Sequence, residues 1–318
     1  MMTEQLKIII QTLSDGQFHS GEELGKILGV TPSAVRKLVK QFPEGDIDVE
    51  SQPKKGYRIP LGLDLFDKAK IKQYSHLEAV EIFEVLSSTN DHLNSLSALK
   101  PKRASRFLAC LAEKQTAGRG RFGRKWLSPY AKNIYLSVLY QFEKDSSQLS
   151  GLSLAIAVAI AESLQEYGIQ EKLQLKWPND VFCQNKKLSG ILIELNGEAQ
   201  GACSAIIGVG LNVLQMPSAN YMDIATIIGQ VPDRNKIAGL LLKQIFSAIK
   251  LFEEKGFKLF QEKWLSYDIS QGKPVKIVSS THEIIGIGRG IDEQGCFLLE
   301  EPTGIIRKFS SGEVSLRV

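Results

Sequence analysis

Leu6, Ile9, Ile10 and Leu13 recur at helical spacing near the start of the chain, which predicts an amphipathic helix over 3–14. Ser20-Gly21-Glu22-Glu23 then reads as a capping box, with the Ser20 hydroxyl accepting from the Glu23 amide. It opens a short helix over 22–28 that Gly29 stops. Thr31-Pro32 supplies a cap and a first-turn proline for a third helix reaching about Phe42. Val35, Leu38, Val39 and Phe42 share its inner side, which turns Ser33, Arg36, Lys37 and Lys40 outward. Two strand-like pieces, 47–51 and 57–59, flank Pro53-Lys54-Lys55-Gly56, a turn presenting two lysines. A small helical domain with a solvated basic face is the plainer alternative. The full order of helix, capped helix, proline-started basic helix and basic hairpin instead predicts a winged helix-turn-helix over residues 1–62. Its DNA contacts are expected from Ser33, Arg36, Lys37 and Lys40 and from the wing residues Lys54 and Lys55.

Proline and glycine break this pattern near 60–63, and 64–74 reads as a connecting helix. From 77 to 265 strand-like runs at 80–85, 107–112, 134–140, 173–176, 188–195 and 205–213 are interleaved with helical periods at 153–167 and 236–252. An α+β fold follows: a mixed sheet with helices packed on one face, occupying 63–270. Five short strands, 274–279, 283–287, 296–300, 305–309 and 314–317, are separated by Gly, Asp and Ser and predict a small SH3-like β-barrel over 271–318.

Composition narrows the partners. A chain of 318 residues with 43% hydrophobic and 23% charged positions holds two or three globular domains. Its net charge is only +4, so any nucleic-acid contact has to come from local charge. Cys110, Cys183, Cys203 and Cys296 are dispersed and form no zinc pattern. A reduced cytoplasmic protein is expected. No signal-peptide pattern opens the chain, and the longest apolar run, 154–161, is too short to span a bilayer, so no membrane partner is expected.

The chemistry concentrates in the middle. Gly118-Arg119-Gly120-Arg121-Phe122-Gly123-Arg124-Lys125-Trp126 holds four cationic side chains and three glycines. The glycines admit close backbone approach, and the guanidinium forks suit carboxylate and phosphate oxygens. Gly/Arg runs also bind RNA, but those are usually long and terminal, whereas this one lies between two predicted strands. Lys176-Trp177-Pro178-Asn179-Asp180 reads either as a capped turn or as a phosphate cation, a polar reader and a magnesium ligand. Lys187 opens an apolar strand, as an edge residue or as a cation facing a reacting carboxylate. Ser87-Ser88-Thr89-Asn90 ends a strand and is equally a helix cap. Gly208-Val209-Gly210-Leu211-Asn212 lacks the third glycine and following helix of a dinucleotide site.

In this order and at these spacings, Ser88-Thr89-Asn90, Gln115, the 118–126 stretch, 176–180, 187–192 and 208–212 together resemble the biotin–protein ligase family. The winged helix makes the chain similar to the subgroup that also represses biotin-synthesis genes, and the resemblance covers essentially the whole chain. It implies that Ser88, Thr89, Asn90 and Gln115 line a biotin pocket, with Arg119, Gly120 and Arg121 closing over biotin and its adenylate. The arginine matching Arg121 helps retain the reactive intermediate. Lys187 is implied at the biotin carboxylate and the new phosphoryl oxygens. Lys176, Asn179 and Asp180 are implied for ATP and Mg2+, Trp126 for adenine and Asn212 for the nucleotide. Arg121, Lys187 and Lys176 are thereby the catalytic cations, and Asp180 the magnesium ligand.

The implied reaction activates biotin with ATP and transfers it to a lysine of the biotin carboxyl carrier protein of acetyl-CoA carboxylase. The adenylate-bound form is implied to be a homodimer on operator DNA. A biotin-sensing repressor without ligase activity and a lipoate-type ligase are the alternatives. The C-terminal barrel is implied to assist ATP or carrier binding, with Arg289 and Glu313 as minor candidates. The segment after Asn212, through 221, is implied to cover adenine. One departure stands out: Lys54-Lys55-Gly56-Tyr57 replaces the Gly-Lys-Gly-Tyr common in the wing, which leaves the turn type open.

Overall fold

The computed structural model describes residues 3–42, 47–60, 62–99, 106–196, 202–214, 219–278, 283–310 and 315–317. The first three helices are α1 (Glu4–Leu13), α2 (Gly21–Leu28) and α3 (Pro32–Val39). Thr3, Ser20 and Thr31 cap them as side-chain acceptors, and Gly29 ends α2 in the left-handed region. The third helix stops short of the expected Phe42 because Lys40 already caps it.

Strands β1 (Glu50–Gln52) and β2 (Gly56–Arg58) form the wing hairpin. Reciprocal backbone hydrogen bonds between His19 and Tyr57, both 2.9 Å, dock it against the segment before α2. A Cβ on Gly56 would collide with the His19 backbone, so glycine is obligatory there. Lys54 takes φ 67°, a conformation costing an L-residue about 1 kcal/mol. Ser33, Arg36, Lys37, Lys40, Lys54 and Lys55 are all exposed. Among the described residues no carboxylate pairs with Arg36, Lys37 or Lys40.

Helix α4 (Lys68–Ser75) is shorter than the sequence pattern predicts. Residues 64–67 are held extended by side chains from elsewhere, and Asp67 caps the helix through the Lys70 amide at 3.0 Å. The central region continues with β3 (Val80–Leu86), α5 (Thr89–Leu99), β4 (Phe107–Gln115), β5 (Ile134–Phe142), α6 (Leu152–Tyr167), β6 (Leu173–Lys176), β7 (Asp180–Cys183), β8 (Lys186–Asn196) and β9 (Cys203–Leu211). Helices α7 (Ile224–Ile228), α8 (Arg234–Lys255) and α9 (Lys258–Tyr267) follow. The seven strands order as β3-β4-β5-β9-β8-β7-β6, and only β3–β4 is parallel.

Alternation along these strands separates two cores. Ala109, Leu111, Leu136, Val138, Ile207 and Val209 pack with α6 and α8, whereas Leu108, Cys110, Leu139 and Ile206 pack with Leu93 of α5. The expectation of helices on one face thus holds for the long helices, while α5 covers part of the other. The site lies on that second face. Eleven of the sixteen residues of α6 are buried. With the turn before it, over Ser146–Tyr167, it is long and apolar enough to cross a membrane, contrary to the expectation from the short 154–161 run. Two-thirds of its apolar window is buried inside the protein, as befits a core helix.

One polar cluster joins the parts. Arg234 and Glu113 pair at 2.9 Å with both side chains 3% exposed. Arg234 also donates to the carbonyls of Asp64 (2.5 Å) and Asn133 (2.8 Å), and Glu113 accepts from the Phe66 amide at 2.5 Å. Asn235 binds Asp64, Leu65 and Asp67. Tyr130 and Ala131, just before Asn133, are buried in the same core cluster as α1–α3.

The last strands, β10 (Pro274–Val278), β11 (Glu283–Ile291), β12 (Phe297–Glu300), β13 (Ile306–Phe309) and β14 (Ser315–Arg317), form an antiparallel sheet ordered β13-β12-β11-β10-β14. This is the expected small all-β unit; among the described residues its two end strands do not pair with each other.

Candidate active site

A cavity of about 510 Å3 opens on the α5 side of the central sheet. Ser88, Thr89, Asn90, Gln115, Arg119, Gly120, Arg121, Trp126, Lys176, Asn179, Asp180 and Lys187 all line it. Segments separated by about a hundred residues converge there because β3, β4, β6 and β8 end around one rim.

At one end the polar side chains form a directed chain. Gln115 Oε1 accepts from the Thr89 amide (2.8 Å) and hydroxyl (3.1 Å), and its amide nitrogen donates to Ser128 Oγ at 3.1 Å. Ser128 in turn donates to the Trp126 carbonyl at 3.1 Å. Ser137 Oγ lies 2.7 Å from Thr89 Oγ1 and 2.6 Å from Asn90 Oδ1. This end suits a neutral, doubly polar ring.

At the other end cations gather. Lys187 Nζ pairs with Asp180 at 2.6 Å, and Arg121 donates to Asn179 Oδ1 at 3.3 Å. Asn179 is itself fixed by donating to the Ile191 carbonyl at 2.7 Å. Burial pulls the Lys176 ammonium below its ordinary pKa; Asp180 opposes this, while Lys187, Arg317 and Arg124 push the same way. Burial acts likewise on Arg121. An anion arriving here relieves cations already held close together.

The 118–126 segment folds back on itself rather than trailing loosely. Trp126 donates to the Gly118 carbonyl at 2.9 Å, Gly120 to the Arg124 carbonyl at 2.7 Å, and Arg119 bridges Lys125. Its indole lies against Gly190 and Gly210, which face each other across β8 and β9. A Cβ on Gly210 would collide with the ring, and one on Gly208 with the Asn90 amide. The two glycines of the 208–212 motif therefore flatten the cavity floor, which explains a glycine pattern without a dinucleotide fold. Trp126 Nε1 is buried without a hydrogen-bond partner among the described residues.

Two of the expected residues are engaged by other protein groups. The Arg119 guanidinium is held by Asp91 and, at 3.0 Å, by Glu194. Asn212 is fully buried beneath the cavity, and its amide donates to the carbonyls of Lys187 (3.3 Å) and Met222 (3.1 Å). Asp180 is the one carboxylate on the lining, and no cluster of three His, Cys, Asp or Glu stands ready for a metal among the described residues. Glu313 and residues 215–218 lie outside the described residues. Arg289 pairs with Glu300 on the C-terminal sheet and is not on the lining.

Residues 82–212 match the Biotin/lipoate A/B protein ligase family, 271–317 the Biotin protein ligase C terminal domain, and 4–58 an HTH domain. Bifunctional ligase/repressor BirA of Escherichia coli (strain K12) is 38% identical over 97% of this chain and 96% of its own length. The chain belongs to the bifunctional biotin ligase/repressor family. The family protein of the same name from Bacillus subtilis (strain 168) is 30% identical over 94% of each chain. The biotin protein ligase of Aquifex aeolicus in complex with biotin and ATP is a structural neighbour, with TM-score 0.64 and 32% identity over 76% of this chain and 99% of that one.

For this member of the ligase/repressor family, Arg317, which reaches the cavity from β14, had no signal in the sequence. Tyr221, from the segment docked on Lys187, and Arg124, from the cationic loop, lay in stretches already singled out but were not named individually as site residues. Ser137 and Glu194, which hydrogen-bond the lining residues Thr89 and Asn90 from behind, come from strand interiors, where period-two alternation gives a lone polar residue no distinct signal.

Proposed function

We propose that the protein condenses biotin with ATP to biotinyl-5'-adenylate, transfers biotin to a lysine of the biotin carboxyl carrier protein of acetyl-CoA carboxylase, and binds operator DNA when adenylate-loaded. One observation carries this reading: a single cavity joins a neutral polar end, built from Thr89, Asn90, Gln115 and Ser137, to a cationic end built from Arg121, Lys176 and Lys187. A ureido ring with an aliphatic carboxylate tail, beside a triphosphate, matches that division.

In the first step a biotin carboxylate oxygen attacks the α-phosphorus in line, and pyrophosphate leaves. Two anions meet, so Lys187, Arg121 and Lys176 act by neutralising the charge that accumulates between them. Ser88, Thr89, Asn90 and Gln115 orient the ring. Gly120 and the Arg119 backbone cover it, since the Arg119 side chain is engaged elsewhere. Trp126 faces adenine, Asn179 holds Arg121, and Asn212 acts on the nucleotide through the Lys187 and Met222 segments it ties together. Asp180, the one lining carboxylate among the described residues, fits a magnesium ion that arrives on the nucleotide's phosphates rather than one caged by the protein. In the second step a carrier lysine amine attacks the acyl carbon and AMP leaves, while the folded loop keeps water from the mixed anhydride.

Operator contacts fall to Ser33, Arg36, Lys37 and Lys40 on α3, with Lys54 and Lys55 on the wing, all exposed on one small domain. Dimer formation is supported by a sheet edge: beyond Gly190, β8 pairs with β9 alone among the described residues, and Leu195 on that stretch is 44% exposed. The same edge suits the carrier protein. Free cysteines are consistent with a cytoplasmic location.

Purified protein given biotin, ATP and magnesium should release pyrophosphate and label a carrier protein. Pyrophosphate release with lipoate instead of biotin would identify a lipoate ligase, and release with neither would leave a sensor. A second expectation concerns the floor. Gly210→Ala crowds the Trp126 indole, and overpacking of about 1–3 kcal/mol should raise the KM for ATP roughly tenfold while the KM for biotin moves less. Equal changes in both constants would refute that placement of Trp126.

A further inference from the structure

Glu194, on β8, connects the cavity wall to the loop that covers it. One carboxylate oxygen accepts from Asn90 Nδ2 at 2.7 Å and the other from Arg119 Nη2 at 3.0 Å. Asn90 is buried and its carbonyl oxygen accepts from Ser137. Its amide nitrogen also lies 3.5 Å from the Leu192 carbonyl.

The chemistry of these contacts has a direction. A carboxylate only accepts, so Glu194 obliges Asn90 to turn its NH2 toward β8 and its carbonyl toward Ser137. The Ser137 proton is drawn to Asn90, which sets the donors and acceptors left for a ligand along Thr89 and Gln115. The second oxygen holds Arg119 at the entrance of the 118–126 loop. The loop's exit is held separately, through Ser128 beneath Trp126. Arg119 has a further partner in Asp91, which lies on α5; the Asn90 side chain instead bonds Leu192, Glu194 and Ser137.

We propose that Glu194 is a positioning residue for the ligase reaction: it fixes the hydrogen-bond polarity of the biotin end of the cavity and latches the covering loop through Arg119. The proposal rests on the reading that this cavity takes biotin. The ion pair itself is worth little, because Arg119 is 41% exposed and Glu194 25%. Its value lies in joining two elements that touch opposite sides of the same ligand.

Two substitutions separate the arms. In Glu194→Gln the carboxamide oxygen still serves Asn90, but its NH2 then faces the Arg119 guanidinium, donor against donor. Biotin KM should stay within about threefold of wild type while biotinyl-adenylate dissociates about fivefold faster, the upper end for losing a partly exposed charged pair. Glu194→Ala removes both arms and should raise biotin KM about tenfold as well, with ATP KM within about twofold. Asp91→Asn weakens the Arg119 arm alone and should speed adenylate release by a few-fold without moving biotin KM.

Adenylate dissociation is followed by Trp fluorescence in stopped flow, and melting curves accompany each variant. Unchanged adenylate release in Glu194→Gln overturns the latch. Biotin and ATP constants rising together in Glu194→Ala overturn the polarity role, as does a Glu194→Gln variant as impaired in biotin KM as the alanine. If Glu194→Ala does not fold, the glutamine and Asp91→Asn variants still decide the latch, and the biotin KM of the glutamine variant decides polarity. Wild-type protein that makes no adenylate from biotin and ATP would refute the proposed function instead, before any variant is compared.

Discussion

Lys187→Ala should slow biotinyl-adenylate formation by roughly a hundred- to a thousandfold at saturating biotin and ATP, the usual cost of deleting a preorganised charge at a reacting centre. The structure gives two reasons for an effect of that size. Lys187 Nζ stands over the Trp126 ring at 5.4 Å and on the cavity lining, where carboxylate and phosphate meet in the proposed reaction. Its removal also leaves Asp180, its partner at 2.6 Å, as a half-buried negative charge facing two anionic substrates. Lys187→Arg keeps the charge but not the compact ammonium and should recover part of the rate. Biotin-dependent pyrophosphate release measures this directly. A Lys187→Ala enzyme within tenfold of wild type would show that the lysine is an ordinary edge residue of β8.

Arg234→Ala should destabilise the fold by about 3–5 kcal/mol, because it strands Glu113 as an uncompensated buried charge. Both side chains are 3% exposed, so water cannot take the place of the partner. The same guanidinium holds the Asp64 and Asn133 carbonyls, while Asn133 Oδ1 accepts from the Val213 amide at 2.8 Å. Loss of Arg234 should therefore loosen the 64–67 linker and the residues after Asn212 together. Replacing the pair jointly, Arg234→Met with Glu113→Leu, should restore much of the stability without restoring the linker contacts. Denaturant unfolding of the three proteins tests this. A single variant as stable as wild type would mean that Glu113 is protonated or hydrated in the folded protein.

The contrast between these two residues shows what sequence carries and what it withholds. Lys187 was legible as a cation in a short motif beside an apolar strand, open between an edge residue and a substrate-facing charge until the family resemblance implied the second. Arg234 and Glu113 were not, since each stands alone in its segment and they become a pair only when the α8 start meets the β4 end. Helix α9 escaped for a similar reason: Phe260 and Trp264 are its buried residues, too few to mark a period. Strand β7 is four residues long and is defined by its neighbours, with Gln184 and Asn185 turning it back in left-handed conformations.

Local rules were enough for the caps and turns of α1–α3, for the long helices and for most central strands, because periodicity and capping act within a few residues of one another. They also exposed the glycine/arginine stretch as chemically unusual, whereas the Lys176–Asp180 group read as readily as a capped turn until the family resemblance gave it a role. What tertiary contact alone decided was direction and partnership. Arg119 turns to Asp91 and Glu194, Asn212 goes beneath the floor, Gly208 and Gly210 make room for Asn90 and Trp126, and a C-terminal arginine arrives at the cavity. Each of these depends on atoms far apart in the chain meeting across a sheet, and no spacing rule encodes which side chains then face one another.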